Sequence, residues 1–549
     1  MSSPSTPATD AGGTPAARPV ALGRSSMVMA SGTAASRVLG VINTATLGWA
    51  IGILGSTADA FSVANKLPNT LYLLIAGGVL NAVLVPQVVR AYRRPDGQVY
   101  VDKLLTVGIT LLAGLTLVLT AASPLFVRLY SDFPDPKVTD LATSLALWCV
   151  PQIFFYGLYS LLGQVLNARG SFGPYMWAPV VNNIVFIGGL LLFVQVYGPY
   201  DEAAPMADWS GGRIALLAGS ATLGIVAQAL ILLVPLYRSG FRYRPRWGLR
   251  GSGLGSAGRV ATWTFAGLLV GQVGVWAVSV VASSAGGDNP GNAIYDRAFL
   301  IFMLPHSLVT VSLATALFTR LSGRAAAHDT AGVRGDLSLG LRTVGLFTVL
   351  ATVGISVLAE PLGHVLFPGE KPAPLQALAV AIVALLIGLV PFGIWSLCQR
   401  VYYAYEDARS MFPIQVVMAV VVVAGTLLGR AVLDPAYWVA AGCASMALSY
   451  WVGAVVALVG VDRRLHGLEG GRVLRLHVRA VVAGLVAGAA GVGVRLLLGA
   501  PQGWASAVLL CVVGGVAMTL VYVGGLALLR VRELDALTRP LLRRVRRGR

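Results

Sequence analysis

Along this chain, apolar residues run without alternation for about 18 residues or more at a time, the length that crosses a bilayer, and polar residues gather in the gaps between. Lipid offers no partners to backbone amides, so spanning segments must be helices or closed barrels. Continuous rather than alternating runs indicate helices. Spans are predicted at roughly 26–53, 57–90, 103–129, 139–168, 173–197, 213–237, 256–285, 292–322, 338–367, 374–405, 411–432, 436–461, 477–498 and 504–530. The expectation is an all-α polytopic membrane protein of about fourteen transmembrane helices. Pro68, Pro151, Pro305 and Pro391 fall inside spans, where a missing amide hydrogen and a ring clash kink or break a helix.

An internal repeat appears when the chain is shifted by about 237 residues. Asp59 then meets Asp296, and Leu67-Pro68-Asn69 meets Leu304-Pro305-His306. At 236, Gly157, Ser160 and Leu161 meet Gly393, Ser396 and Leu397, while Val165 and Ala168 meet Val401 and Ala404. Six spans separate the copies. An even number keeps the orientation, so the halves are expected to be parallel six-helix lobes, 26–237 and 256–461, with a binding site between them. Spans 13 and 14 (477–530) form a pair outside the duplication.

Charge fixes the expected orientation. With the N-terminus placed in the cytoplasm, the cytoplasmic loops and both tails carry 32 of the 41 basic residues. Arg238, Arg242, Arg244, Arg246 and Arg250 form one cluster, and Arg463, Arg464, Arg472, Arg475 and Arg479 another. The outward loops carry six: Arg128, Lys137, Arg213, Lys371, Arg430 and Arg495. By the positive-inside rule both termini are cytoplasmic. The basic run in 531–549 reads as a topology determinant first and as an anchor to anionic lipid second. Residues 1–25 are small and polar and read as a disordered tail.

Composition narrows the classes. Charged residues are 12% of the chain, where a soluble domain has about 25%, and hydrophobic residues are 56%. The net charge of +18 does not point to nucleic acid, because the basic residues are spread between apolar runs. Heavy use of Arg, Ala, Val and Gly suits a high-GC bacterial genome. Cys149, Cys398, Cys443 and Cys511 lie within spans without metal-ligand spacing and read as packing residues. No nucleophile elbow, phosphate loop or metal motif occurs, so neither an enzyme nor a cofactor is expected.

Ionisable residues within spans are costly and carry the functional expectation. Arg37 lies near mid-depth in span 1, Lys66 in span 2 just before Pro68, and Asp59 at that span's outer end. Asp59 reads equally as a helix cap. Asp296 and Arg297 open span 8, where capping and snorkelling toward the outer surface are the simpler reading. Asn43 with Thr44, Asn65 with Asn69, and Asn182 with Asn183 add polar groups, most of them explained by helix–helix hydrogen bonds. His306 reads as a packed polar contact, and Tyr402, Tyr403 and Tyr405 as an interfacial belt. Arg37 and Lys66, with Asn43 and Asn65 or Asn69 nearby, are expected to line an electropositive space between the lobes.

Ser36-Arg37-Val38-Leu39-Gly40, Ala58-Asp59-Ala60-Phe61, Lys66-Leu67-Pro68-Asn69 and Val85-Pro86 resemble the N-terminal signature of the MurJ/MviN family of lipid II flippases. That family belongs to the multidrug/oligosaccharidyl-lipid/polysaccharide exporter superfamily. Leu304-Pro305-His306, Val311-Ser312 and Thr315-Ala316-Leu317 resemble its eighth helix. The resemblance implies two six-helix lobes and a final helix pair lining a lateral groove for a lipid tail. It implies a lipid-linked precursor of the undecaprenyl-diphosphate type as substrate, peptidoglycan biosynthesis as setting, and cell-wall synthesis proteins as partners. It places the family's first cavity arginine on Arg37, its span-2 aspartate on Asp59 and its span-2 lysine on Lys66. Asn43, Tyr72 and Leu300 stand where the family has further arginines, with Arg297 a turn before the last. The alternatives are export of another lipid-linked oligosaccharide or amphiphile, and an inactive envelope scaffold.

Overall fold

The computed structural model describes residues 19–75, 97–201, 209–248, 258–531 and Glu533. Its helices are α1 (Pro19–Ile51), α2 (Ser56–Ile75), α3 (Gly97–Ala121), α4 (Ser123–Tyr130), α5 (Pro136–Cys149), α6 (Gln152–Ala168), α7 (Gly173–Tyr197), α8 (Gly211–Leu230) and α9 (Leu233–Arg238). There follow α10 (Gly258–Ser284), α11 (Asn292–Pro305), α12 (Val311–Ala326), α13 (Thr330–Val357), α14 (Ala359–Leu366), α15 (Pro372–Leu386) and α16 (Leu389–Ala404). The last four are α17 (Ala408–Val432), α18 (Trp438–Arg464), α19 (Gly470–Leu498) and α20 (Trp504–Leu528). Val85-Pro86, most of the expected tail and most of the C-terminal basic run lie outside the described residues. Helix α1 begins at Pro19, inside the segment expected as tail.

Among the described residues, eleven helices are long and apolar enough to cross a membrane, or twelve with the bent pair α15–α16 counted as one span. These correspond to expected spans 3–14. Helices α1 and α2 occupy the first two expected places, but their described residues do not pass that test, and 76–90 of the second expected span lie outside the described residues, so twelve spans are counted among the described residues. Arg37, Asn43, Thr44 and Thr46 dilute α1, while Asp59, Asn65, Lys66 and Asn69 dilute α2.

Helix pairing recurs with a period of six spans. In the first half α1 packs on α7, α7 on α8, and α2 on α5; in the second, α10 packs on α17, α17 on α18, and α11 on α15. Helices α19 and α20 pack on each other and join the second half through α13 and α14. Small residues permit the close approaches. A Cβ at Gly484 would stand 3.0 Å from a Val349 methyl, and one at Gly488 would stand 2.9 Å from Val353. Cys149, Cys398 and Cys443 are buried, free thiols.

The prolines act unequally. Pro68 sits inside an unbroken α2. Pro151 separates α5 from α6, and the Trp148 carbonyl there accepts from Thr222 Oγ1 at 2.7 Å. Pro305 ends α11 and leads into a π-helical turn, His306–Thr310, the usual form of a single-turn bulge. Pro391 lies inside α16, but the 43° bend comes before it, between Leu386 and Leu389. A proline has no amide hydrogen for the carbonyl four residues back, which is that of Ile387. The Trp451 indole takes its place, Nε1 donating to Ile387 O at 3.1 Å.

Candidate functional site

Helices α1 and α2 meet in a tight turn with left-handed backbone at Gly52 (φ 79°) and Gly55 (φ 103°). This turn, the start of α2 and the end of α4 form one end of the first half. They meet the C-terminal end of α10 and the start of α11 from the second half. Asp59, in the first turn of α2, accepts the Ala293 N–H on Oδ1 at 2.7 Å. The N-cap of α11 is Gly291, which has no side chain to satisfy that amide. Asp59 therefore caps a helix of the opposite half and places a negative charge against the positive end of its dipole. The fit is close, since a Cβ at Gly291 would stand 1.9 Å from Asp59 Oδ2.

The reciprocal contact runs from Asp296 to α2. Lys66 Nζ lies 2.8 Å from Asp296 Oδ1 and 3.2 Å from Asn292 Oδ1, and 5.2 Å from the centre of the Tyr295 ring. Ser62 Oγ also donates to Asp296. Arg297 is buried, donating Nη2 to Gly52 O at 2.8 Å and Nη1 to Ala293 O at 3.0 Å. Trp276 Nε1 donates to Leu129 O at 2.6 Å, the Asp132 N–H to Ser283 Oγ at 2.7 Å, and Ser279 Oγ to Tyr130 O at 3.0 Å. Hydrogen bonds, an ion pair and a helix cap thus zip the two halves together at this end.

Beyond this seam the faces of α1 and α2 run on toward the other end of the bundle. On α1, Val41, Thr44 and Gly48 share one face. Val41 and Thr44 lie against Arg297, Leu300 and Phe367, and a Cβ at Gly48 would stand 2.5 Å from the Phe367 ring. Arg37 continues that face one turn below Val41 and is exposed. It stands about 22 Å along the helix from the Gly52 turn and forms no hydrogen bond or ion pair among the described residues. On α2, the face carrying Asp59, Ser62 and Lys66 runs on to Asn69 and Leu73, both exposed.

The structure divides the six candidates. Arg37 and Asn69 lie on exposed faces beyond the seam, whereas Asp59, Lys66 and Arg297 build the seam itself. Lys66 is not a free cavity cation but is held by Asp296, and Arg297 does not snorkel outward, because the Gly52 turn covers it. Asn43 is turned about 120° from Arg37 around α1, and its Nδ2 donates to Asn183 Oδ1 at 3.2 Å, stapling α1 to α7. Asn65 Oδ1 accepts from Gln152 within the first half at 3.4 Å. Tyr72 stacks on Tyr156 at 5.5 Å between ring centres. Gly291, Asn292 and Ser62 were not anticipated. The turn Asn289-Pro290-Gly291-Asn292 before an apolar run was the available signal for a helix start lacking its own cap.

A second feature is an apolar groove of about 970 Å³ between α13, α16, α18 and α19, lined by residues including Leu341, Val353, Val390, Trp451 and Val481. Asp462, Arg463 and Glu469 stand among its lining residues at the ends of α18 and α19.

The family model described as "Lipid II flippase MurJ" matches residues 51–512. A probable lipid II flippase MurJ of Haemophilus influenzae is 25% identical over 408 residues, 71% of this chain and 77% of the relative. The lipid II flippase MurJ of Burkholderia cenocepacia is 27% identical over 476 residues, 84% of this chain and 88% of the relative. Among solved structures, a lipid II flippase MurJ in an inward closed conformation is similar with a TM-score of 0.71 at 17% identity, covering 94% of this chain and 100% of that one. An inward-facing MATE family multidrug resistance transporter is similar with a TM-score of 0.59 at 15% identity, covering 78% and 98%. The all-helical fold is shared with both.

Proposed function

We propose that this chain, which belongs to the MurJ family of lipid II flippases, carries lipid II across the cytoplasmic membrane by alternating access. It is a multi-pass transporter, not an enzyme. The observation that carries the reading is the asymmetry between the ends of the interface. One end is zipped by Asp59, Lys66, Asp296 and Arg297, while Arg37 lies exposed on the face of α1 that points at the opposite half. A guanidinium in that position suits a diphosphate, which it can grip with two parallel hydrogen bonds. The groove beside α19 offers apolar walls for the polyprenyl tail, so the head travels between the halves while the tail stays in a lipid-like setting.

The halves, 26–237 and 256–461, act as parallel lobes that rock against each other, making and breaking the α2–α11 contact, with 477–530 as an attached pair. The recurrence of helix pairings supports this division. Asn43, Tyr72 and Leu300 are each engaged within the helix packing. The headgroup grip therefore rests on Arg37 with polar support from Asn69, and not on a ring of arginines. Depleting the chain from its host and following delivery of lipid-linked precursor to the cell surface tests the function. Loss of delivery is expected; a cell that still delivers precursor while losing only envelope assembly would favour a scaffold.

The charge bias of the loops supports cytoplasmic termini, and in that orientation the zipped end faces outward. A reporter fused after Arg549 and active only in the cytoplasm should be active. Activity of an exterior-only reporter at that position would reverse the orientation, and with it the side to which Arg37 is open.

A further inference from the structure

The chain linking the two halves leaves α9 and runs as residues 239–248 without helix or strand. It is pinned to α3. The Arg246 N–H donates to Thr106 Oγ1 at 3.0 Å, Tyr243 Oη lies 2.9 Å from the same oxygen, and Gln98 Nε2 donates to Arg242 O at 3.4 Å. Phe241 is buried in the core shared by α3 and α6. The carboxylate in this hydrogen-bonded set, Asp102, is buried and receives Gln98 Nε2 at 3.1 Å. Among the described residues, helix α3 packs on α4, α5 and α6 of its own half and not on the α2–α11 seam or the groove at α19.

Its side chains alternate. Phe241, Tyr243, Pro245 and Trp247 interleave with Arg242, Arg244 and Arg246. From Arg242 to Trp247 every residue is exposed; the Trp247 side chain is 68% exposed, and Tyr237 just upstream 66%. The Arg242 guanidinium lies 3.8 Å from the centre of the Tyr237 ring. Positive charge alone would serve to orient the chain in the membrane and needs no aromatic partners. Exposed indole and phenol rings at a helix end match the headgroup layer, where one edge is apolar and the other wet. Arginine beside them matches a phosphate.

We propose that residues 237–248 bind the headgroups of anionic glycerophospholipids of the surrounding bilayer, mooring the inter-half linker and α3 to the membrane surface. The mooring would fix the first half while the second moves. It requires the membrane reading but not the flippase reading, because its test measures lipid retention and not transport.

The full chain is placed in nanodiscs of phosphatidylcholine with a minor fraction of phosphatidylglycerol, and retained phosphatidylglycerol is measured by mass spectrometry during exchange into phosphatidylcholine alone. Arg244→Gln and Arg246→Gln should each weaken retention about five-fold, the factor equivalent to ~1 kcal/mol per surface arginine. Arg475→Gln, which removes the same charge from an exposed site on α19, should leave retention unchanged. Molar salt should erase the arginine effects by screening but preserve a loss in Trp247→Ala. Wild-type retention in the arginine or tryptophan variants overturns the proposal. So does an equal loss in Arg475→Gln, which would mean that net charge alone acts. Full displacement of the lipid by soluble inorganic diphosphate also overturns it, since the site would then serve a free or substrate-borne anion.

Discussion

Replacing Arg37 with alanine should abolish precursor delivery while the protein still inserts and accumulates normally. The residue is exposed on the inter-half face of α1 and makes no hydrogen bond or ion pair among the described residues, so folding has little to lose. An arginine facing lipid at this depth would cost ~2.5–3.5 kcal/mol on the insertion scale, which argues that it faces a wet space. Truncating one partner of a tightly paired charge costs about 2–5 kcal/mol, so transport in vesicles should fall by ~30-fold or more, each 1.4 kcal/mol being about ten-fold. Arg37→Lys should fall between, because an ammonium keeps the charge but loses the fork. The checks are complementation of a depleted strain, a thermal-unfolding midpoint in detergent, and flipping of a labelled polyprenyl-diphosphate sugar. Growth and export at normal protein levels in Arg37→Ala would show that this cation does not hold the substrate.

Asp59→Ala should release the zipped end. The carboxylate satisfies an amide at the start of α11 that no residue of the second half reaches from the cap position. Losing such a cap costs up to ~2 kcal/mol, and that cost falls on the closed state alone, because the halves must part for the contact to break. The closed population should drop by up to ~30-fold relative to the open one. A cysteine introduced at Ser62 should then react correspondingly faster with an impermeant thiol reagent. Gly291→Ala should loosen the same end by steric overlap with Asp59 Oδ2. Adding Gly291→Ala to Asp59→Ala should have little further effect, since the atom it strikes is gone. Additive effects of the two substitutions, measured as labelling rates, would mean that the contact does not control closure.

Much of this was legible along the chain, for identifiable reasons. Spans 3–14 announce themselves because lipid-facing helices are apolar all round. Helices α1 and α2 are the exceptions: Asp59, Ser62 and Lys66 mark the surface that meets the other half, while Asn43 and Asn65 bond within their own half. The repeat was readable at Asp59 and Asp296, which prove to be the two carboxylates that cross between α2 and α11. What stayed hidden was partnership. Lys66 could be compared only with acids of its own helix, and Asp59 is two turns away; the actual partner, Asp296, lies 230 positions along the chain. Arg297 sits near the end of its span, where snorkelling is the ordinary solution, but here the other half covers that end. Asn43 and Arg37 look adjacent in sequence, yet a six-residue offset turns them onto different faces, one toward α7 and the other toward the opposite half.

The broken spans have a mechanical consequence. In an intact helix, bending strains a whole ladder of backbone bonds, and stiffness is shared by many residues. Where a side chain has taken over the bond at the break, resistance to bending concentrates in one replaceable group. In the first half that group is the Thr222 hydroxyl, a short lever on a neighbouring helix. In the second it is the Trp451 indole, which also forms part of the groove wall. The two joints should therefore differ in compliance, and the one at Trp451 is in direct touch with whatever fills the groove.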